Sequence, residues 1–314
     1  MSSTSTDTYD QVGIREDLSN VIYNVDPDET PFVTMAPKTK AKSVNHEWQT
    51  DTLGAASDNK ALQGADAVFA VASPTVRLGN YTQISQRTAQ VAGTVEATDR
   101  AGRDREMNYQ MLKRGKELKL DMEHACIGLN NAKVAPAVST AGELASVTSW
   151  ITTNTNFVTG GADPTGDGTD ARTNGTTPVA FTEAKLESVV DSIFTNSGEF
   201  ADTILLNATN KRAMNAFTGR ATSTDHNVAA NSIISAADVY KSDYGDLKII
   251  PSRHIRGRDA LVYNKSKWAI AFLRNMKSKE IAPLGDAERR QVLVEYTLEA
   301  RNEASSGLVT DLNG

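Results

Sequence analysis

The sequence predicts an α+β chain in which extended and helical pieces come first and a regularly alternating segment follows. Three observations predict it. Residues 94–129 repeat apolar side chains at helical spacing for longer than a compact domain of this size needs. Before them, strand-like runs at about 43–53 and 68–91 flank a tip rich in Gly, Asp and Asn. From 182 onward helix- and strand-forming runs alternate and end in "QVLVEYTLEAR", which alternates with period two.

Residues 1–42 have few periodic apolar positions and are punctuated by Pro27, Pro31 and Pro37, each of which disfavours helix at the residue before it. They read as an extended arm that gains order only by lying on another surface. The two runs around "GAASDNKALQGADA" read as a long two-stranded excursion, which has no core of its own and needs a partner surface. In the helix, Met107, Met111, Leu118, Met122, Ala125 and Leu129 share one face. Glu96 with Arg100, and Asp99 with Arg103, place the acid one turn before the base. With Thr94 as cap and Gly128 and Asn130 as stop, the helix would be about 50 Å long, a spine.

Residues 130–180 are rich in Thr, Gly, Ala and Asn and read as a hairpin or surface loop. Thr182 then caps a helix whose Leu186, Val189, Val190 and Ile193 share a face; "DTILLNA" is a short buried strand, and "TNKRAMNAF" a helix closed by Gly219. "LKII", "ALVYN" and "WAIAFL" are further apolar runs. In the final run Val292, Val294, Tyr296, Leu298 and Ala300 oppose Glu295, Thr297, Glu299 and Arg301, the pattern of a half-buried antiparallel strand.

Composition narrows function. The chain has 314 residues, enough for one large or two ordinary domains, but its 39% hydrophobic and 6% aromatic content implies a thin core. Its one cysteine, Cys126, excludes an internal disulfide and a thiolate zinc cage, and fits a reducing compartment. The first ten residues lack the basic and apolar regions of a secretion signal, and no apolar run approaches the roughly 20 residues of a membrane span, so no membrane partner is expected. A net charge of −6 argues against a dedicated nucleic-acid binder, although Lys38, Lys40 and Lys42 alternate in one basic patch and Arg253, Arg256 and Arg258 crowd another.

The densest collection of chemically versatile side chains is "SVNHEWQTDTL", with His46, Glu47 and Asp51. On a strand Val44, His46 and Trp48 face one way and Asn45, Glu47, Gln49 and Asp51 the other, so His46 and Glu47 diverge. A metal site or acid/base pair there needs a ligand brought by the fold. His124, His226 and His254 are isolated, and no local signal assembles a nucleophile, base and orienting acid. "DPTGDGTDARTN" fits a calcium loop at Asp163, Asp167 and Gly168 but not at Thr165 or Asn174. No catalytic residue, cofactor or metal site is expected.

Three passages, "DLSNVIYNVDPDETPFVTMAPKTKAKSVNHEWQTDTL", "QVAGTVEATDRAGRDREMNYQMLKRGKELKLDMEHACIG" and "EIAPLGDAERRQVLVEYTLEARNEASSGLVTDL", cover about a third of the chain. In them the sequence resembles tailed-phage major capsid proteins of the Hong Kong 97 fold, closest to a subgroup that includes the capsid protein of short-tailed phage SU-ten. The resemblance implies an N-terminal arm (1–42), an extended β-hairpin loop (43–92), a peripheral domain with spine helix and β-hairpin (93–180), an axial α/β domain (181–280), and a C-terminal return strand of the peripheral domain (281–314). It implies self-assembly into pentamers and hexamers of an icosahedral or prolate head, enclosing double-stranded DNA without sequence-specific binding. A portal protein and a decoration protein would be partners. Because no coiled-coil prefix precedes Met1, a separate scaffolding protein is expected. Assembly would take place in the host cytoplasm and the product would be the virion capsid. Candidate inter-subunit contacts are Trp48, Lys60, Phe69, Arg100 and Arg103, with Lys60 also the candidate for a covalent link to a neighbour's asparagine; Lys38, Lys40 and Lys42 are the candidate lumenal basic patch. Two rivals are an encapsulin-type compartment on the same fold and a metal-dependent hydrolase using His46.

Overall fold

The computed structural model describes residues 29–64, 66, 67, 69, 71–98, 105–217 and 238–314. The first element is a short helix, α1 (Pro31–Met35), with proline in its first turn, where a missing N–H is tolerated. The edge strand β1 (Lys38–Lys40) follows. β2 (Asn45–Thr50) and β3 (Val76–Tyr81) then form a separate antiparallel ribbon, paired from Asn45 with Tyr81 to Thr50 with Val76. Between them every described residue from 51 to 75 is exposed and without helix or strand. The expected second strand of the excursion is two strands: pairing breaks at Thr82, and β4 (Gln83–Ala92) belongs to another sheet.

The single long helix is also corrected. A short α2 (Gly93–Ala97) ends at Thr98, whose backbone is extended, and α3 (Glu106–Glu123) begins after an extended Arg105. Its 18 residues span about 27 Å, and one π turn, His124–Gly128, prolongs it to the expected stop. Thr94 lies inside α2 and caps nothing; the acid that serves α3 is Glu96, which accepts the Met107 backbone N–H at 3.3 Å and Arg105 Nε at 3.0 Å. Met107, Leu118, Met122 and Ala125 are buried as the apolar spacing requires.

β5 (Thr155–Asn156) is followed by α4 (Glu183–Ser197), which buries Leu186, Val189, Val190 and Ile193 and ends at Gly198 in the left-handed region, φ 65°. β6 (Thr203–Leu206) is buried throughout. α5 (Ala208–Met214) is capped by Asn207, whose side chain accepts the Asn210 N–H at 2.8 Å; Gly219, its expected stop, lies outside the described residues. The remaining strands are β7 (Val239–Ser242), β8 (Gly245–Pro251), β9 (Ala260–Tyr263), β10 (Trp268–Ile281), β11 (Ala287–Ala300) and β12 (Gly307–Val309).

Two sheets organise these elements. In the first, ordered β1-β10-β11-β4, β11 is antiparallel to both neighbours and β1 runs parallel to β10. α3 packs against β4 and β11, and Phe32, Leu118, Met122, Trp150, Trp268 and Tyr296 fill the shared core. The second sheet, ordered β5-β12-β9-β6-β8-β7, buries Ile204, Leu206, Ile249 and Val262 with the inner face of α4. The chain past Ala300 leaves the first sheet, since β12 pairs with β9 and β5 in the second. Two expectations fail on burial. Leu144, Ala145, Val147, Trp150 and Ile151 belong to the core, so 130–180 is not a surface loop throughout. β11 is buried on both faces, because Glu295, Thr297 and Glu299 are only 6%, 0% and 9% exposed.

Candidate functional site at the root of the extended loop

The second face of β11 is covered by the β2–β3 ribbon, and this places the cluster around His46 and Glu47. Alternation sends His46 and Trp48 inward and Glu47 outward, as the strand geometry predicts. Glu47 accepts Arg77 Nη2 at 2.8 Å and Asn45 Nδ2 at 2.9 Å on the exposed face. His46 meets the ligand that only the fold supplies: its Nε2 lies 3.2 Å from Glu299 Oε2, with 16% and 12% of the two side chains exposed. The same carboxylate accepts Thr39 Oγ1 at 3.1 Å and Arg301 Nε at 3.0 Å. The His46 hydrogen bond, reinforced by Arg301 and Thr39, outweighs burial and holds Glu299 down to about 2.

Trp48 lies at 5.3 Å and 47° from Trp150, and Lys133 Nζ sits 5.8 Å from the Trp150 ring centroid. Lys133 also donates to the Gly79 and Asp167 carbonyls at 2.7 Å each. Asn80, fully buried, donates to the Leu298 carbonyl at 2.9 Å and accepts the Ala145 N–H at 2.9 Å, and Thr82 donates to Glu295 at 3.0 Å. The ribbon is therefore locked onto the first sheet by buried polar contacts. This arrangement fixes the orientation of the ribbon on the first sheet.

A second anchor lies at the start of the described chain. Glu123 is fully buried and accepts the Phe32 and Val33 N–H groups at 2.9 and 2.8 Å, the unpaired donors of the α1 N-terminus. Burial, opposed by those two bonds, pushes its carboxyl up to about 7. Cys126 is fully buried, and burial, then Glu123, pushes its thiol up. His254 is held below the ordinary histidine range by burial and then by His124, so the two are neighbours and not isolated.

The other expected site residues are dispersed. Phe69 is 93% exposed on the loop between β2 and β3, as are Leu53, Leu62 and Val71, and Lys60 is exposed with its Nζ 2.6 Å from Asp58. Arg100 and Arg103 lie outside the described residues. Lys38 and Lys40 project from β1 with Lys42 just beyond, all exposed. In the segment 163–174 Asp163 is bound to Arg172 and Thr155, and Asp167 accepts from Thr165 and Thr169. Among the described residues no group of three or more His, Cys, Asp or Glu is arranged to hold a metal ion. Sequence reading missed Glu299, Thr39, Arg301, Trp150 and Glu123. The available signal was a run of acids on the nominally exposed face of β11.

The comparisons agree with a structural site. Residues 2–313 match the family model described as SU10 major capsid protein. The major capsid protein of Escherichia phage Phieco32 is 27% identical over 339 residues, covering 96% of this chain and 95% of that one. Among solved structures, the capsid of a native GTA particle superposes with a TM-score of 0.67 at 10% identity, covering 99% of this chain and all of the other. The capsid of cyanophage P-SCSP1u gives 0.59 at 12% identity over 96% and 94%, and Gordonia phage Cozz 0.58 at 10% over 95% and 91%. With a Hong Kong 97-like fold and a family match from end to end, the chain belongs to the SU10 major capsid protein family and is a structural, non-enzymatic component of a tailed-phage virion.

Proposed function

We propose that many copies of this chain close into pentamers and hexamers of a shell around double-stranded DNA, and that the loop between β2 and β3 is the part each copy lends to its neighbour. One observation carries this reading. Leu53, Leu62, Phe69 and Val71 are 100%, 85%, 93% and 96% exposed on a segment with no core of its own, while the root of that segment is locked to the first sheet. Apolar side chains presented in this way are stabilised by burial on an adjacent subunit. Lys60, at the same tip, is the candidate for a covalent link. Trp48 acts one step removed, since it packs on Trp150 and sets the angle at which the loop leaves.

In this reading the arm is 1–42 and the loop 43–92. The first sheet with α3 forms the peripheral part, to which Trp268–Ala300 is assigned, and the second sheet with α4 forms the axial part, to which 301–314 returns. A net charge of −6 suits a wall along which packaged DNA slides without sticking. Portal, scaffolding and decoration proteins would complete the head, assembled in the host cytoplasm. The test is complementation with a Phe69→Ser, Val71→Ser subunit, which should remain folded and soluble but yield no heads by negative-stain microscopy. Normal heads would remove the loop from the assembly contacts. Denaturing electrophoresis of mature particles decides the covalent link: a single band near 33.8 kDa excludes it.

A further inference from the structure

Between β5 and α4 the chain carries the dipeptide Asn174-Gly175, whose two reacting atoms in a ring closure, an amide nitrogen and a carboxamide carbon, are each served by a charged side chain. The carboxamide oxygen Oδ1 of Asn174 accepts Arg256 Nη2 at 2.6 Å. The Gly175 N–H donates to Asp311 Oδ1 at 2.8 Å. Asn174 is exposed, Gly175 is buried, and the Asp311 side chain is fully buried.

Distant segments build this arrangement. Arg256 lies in the turn between β8 and β9, and its Nη1 donates to Asp259 Oδ2 at 2.8 Å; Asp259 Oδ1 in turn accepts Thr310 Oγ1 at 2.7 Å. The guanidinium is thereby oriented, with Nη2 turned to Asn174. Asp311 follows β12 and has φ 60°, the only positive φ of a non-glycine residue among the described residues, a conformation that costs energy and persists where the surroundings impose it. Its carboxylate also accepts Arg258 Nη2 at 2.9 Å and the Val158 N–H at 3.4 Å, and Arg258 Nη2 donates to the Gly175 carbonyl at 2.8 Å. Gly175 is therefore held at both its N–H and its C=O. A Cβ there would overlap Val158 and lie 2.6 Å from Asp311 Oδ2, so glycine is what lets the carboxylate reach the amide nitrogen.

We propose that Asn174-Gly175 is a self-modification site, at which the chain converts Asn174 through a cyclic imide to an aspartyl or isoaspartyl residue. Asp311 is the general base and takes the Gly175 amide proton as that nitrogen attacks Cγ of Asn174. The electron pair displaced onto Oδ1 is stabilised by Arg256. When the carbonyl re-forms, the Cγ–Nδ2 bond breaks, and Nδ2 takes the proton from Asp311 and leaves as ammonia from the exposed side. Water, the only co-reactant, then opens the imide at either carbonyl, and nothing is oxidised or reduced. The aspartyl product sets a carboxylate against Arg256 where a carboxamide stood, so a neutral acceptor becomes a charged one and the loop before α4 is fastened more firmly to the β8–β9 turn.

Trypsin releases residues 173–185 as one peptide, cut after Arg172 and Lys185. The full-length chain is incubated at pH 7, 8 and 9, native or unfolded in guanidinium, and the peptide is weighed for loss of one ammonia and for later gain of one water. Its backbone fragmentation distinguishes the isoaspartyl form. At pH 7 the native chain should convert at least about tenfold faster than the unfolded one. Its rate should stay level from pH 7 to 9, because a carboxylate is the base, while the unfolded rate rises with hydroxide. Arg256→Gln should slow native conversion at least about tenfold, and Arg256→Lys, which keeps the charge, should recover part of it. Asp311→Asn should also slow it and make the remaining rate depend on hydroxide; should that variant unfold, the wild-type pH profile and the Arg256 pair still decide. Native conversion equal to or slower than unfolded would show that the same hydrogen bonds protect the asparagine and would overturn the proposal. So would a native rate that follows hydroxide, or Arg256→Gln converting at the wild-type rate.

Discussion

The anchor at Glu123 sets a pH dependence whose sign and size follow from its surroundings. In the folded chain burial raises this carboxyl from 4.5 to about 7, although two backbone N–H groups of α1 bind it. An unfolded chain releases the same proton near 4.5. Between these values the folded state holds the extra proton, so raising the pH through that window lowers stability, and outside it the contribution is constant. At about 1.4 kcal/mol per pH unit the full effect is about 3 kcal/mol. Glu123→Gln keeps the shape and one acceptor but cannot titrate. Urea unfolding of the unassembled subunit at pH 4.5, 6 and 7.5 should show the wild-type midpoint falling relative to the variant by about 1 M across the series, for a slope of about 3 kcal/mol per molar. The variant is expected to be less stable at pH 4.5, because one α1 N–H loses its partner at a cost of about 1–3 kcal/mol. If wild type and variant keep the same pH slope, the carboxyl does not titrate between 4.5 and 7 and the account of the anchor is wrong.

Glu299 should give the opposite limb: its folded carboxyl is held at about 2, so stability present above 4.5 is lost as pH falls from 4.5 toward 2. Glu299→Gln should flatten that acid limb by about 1–2 kcal/mol after solvent screening, read by thermal melts at pH 2.5 to 5. Gly307→Ala should lower the melting temperature, since a methyl there overlaps Val189 Cγ1 and lies 2.8 Å from the Asn154 carbonyl; the overpacking is worth about 1–3 kcal/mol, and an unchanged melt would show that α4 can shift. Trp48→Ala should cost about 2 kcal/mol and reduce head formation while leaving exchange protection of β6 and β9 unchanged; normal heads from it would deny the ribbon's packing any role in aiming the loop.

Local physics wrote much of this fold into the sequence. The apolar face of α3, the buried side of α4, the fully apolar β6 and β9, and the inward turn of His46 and Trp48 all follow from periods of 3.6 and 2, which depend only on neighbours along the chain. The exposed apolar tip at Leu53, Leu62 and Phe69 was legible as a segment without a core. What period alone could not decide was anything requiring a second surface. "QVLVEYTLEAR" reads as half-buried because its acids mark a wet face; the ribbon covers that face, and Glu299 becomes the partner of His46, 253 residues earlier. Residues 94–129 read as one helix because charge pairs support it locally, yet α2 ends at Ala97 and α3 begins at Glu106, where Met107 is buried and its N–H is bound by Glu96. Trp150, in a stretch that composition marks as loop, is buried in the first core, with Trp48 arriving from far away in the sequence to pack on it. Sequence by itself determined which faces must be hidden; tertiary structure decided what hides them, because burial and buried hydrogen bonds are made between segments that no local period connects.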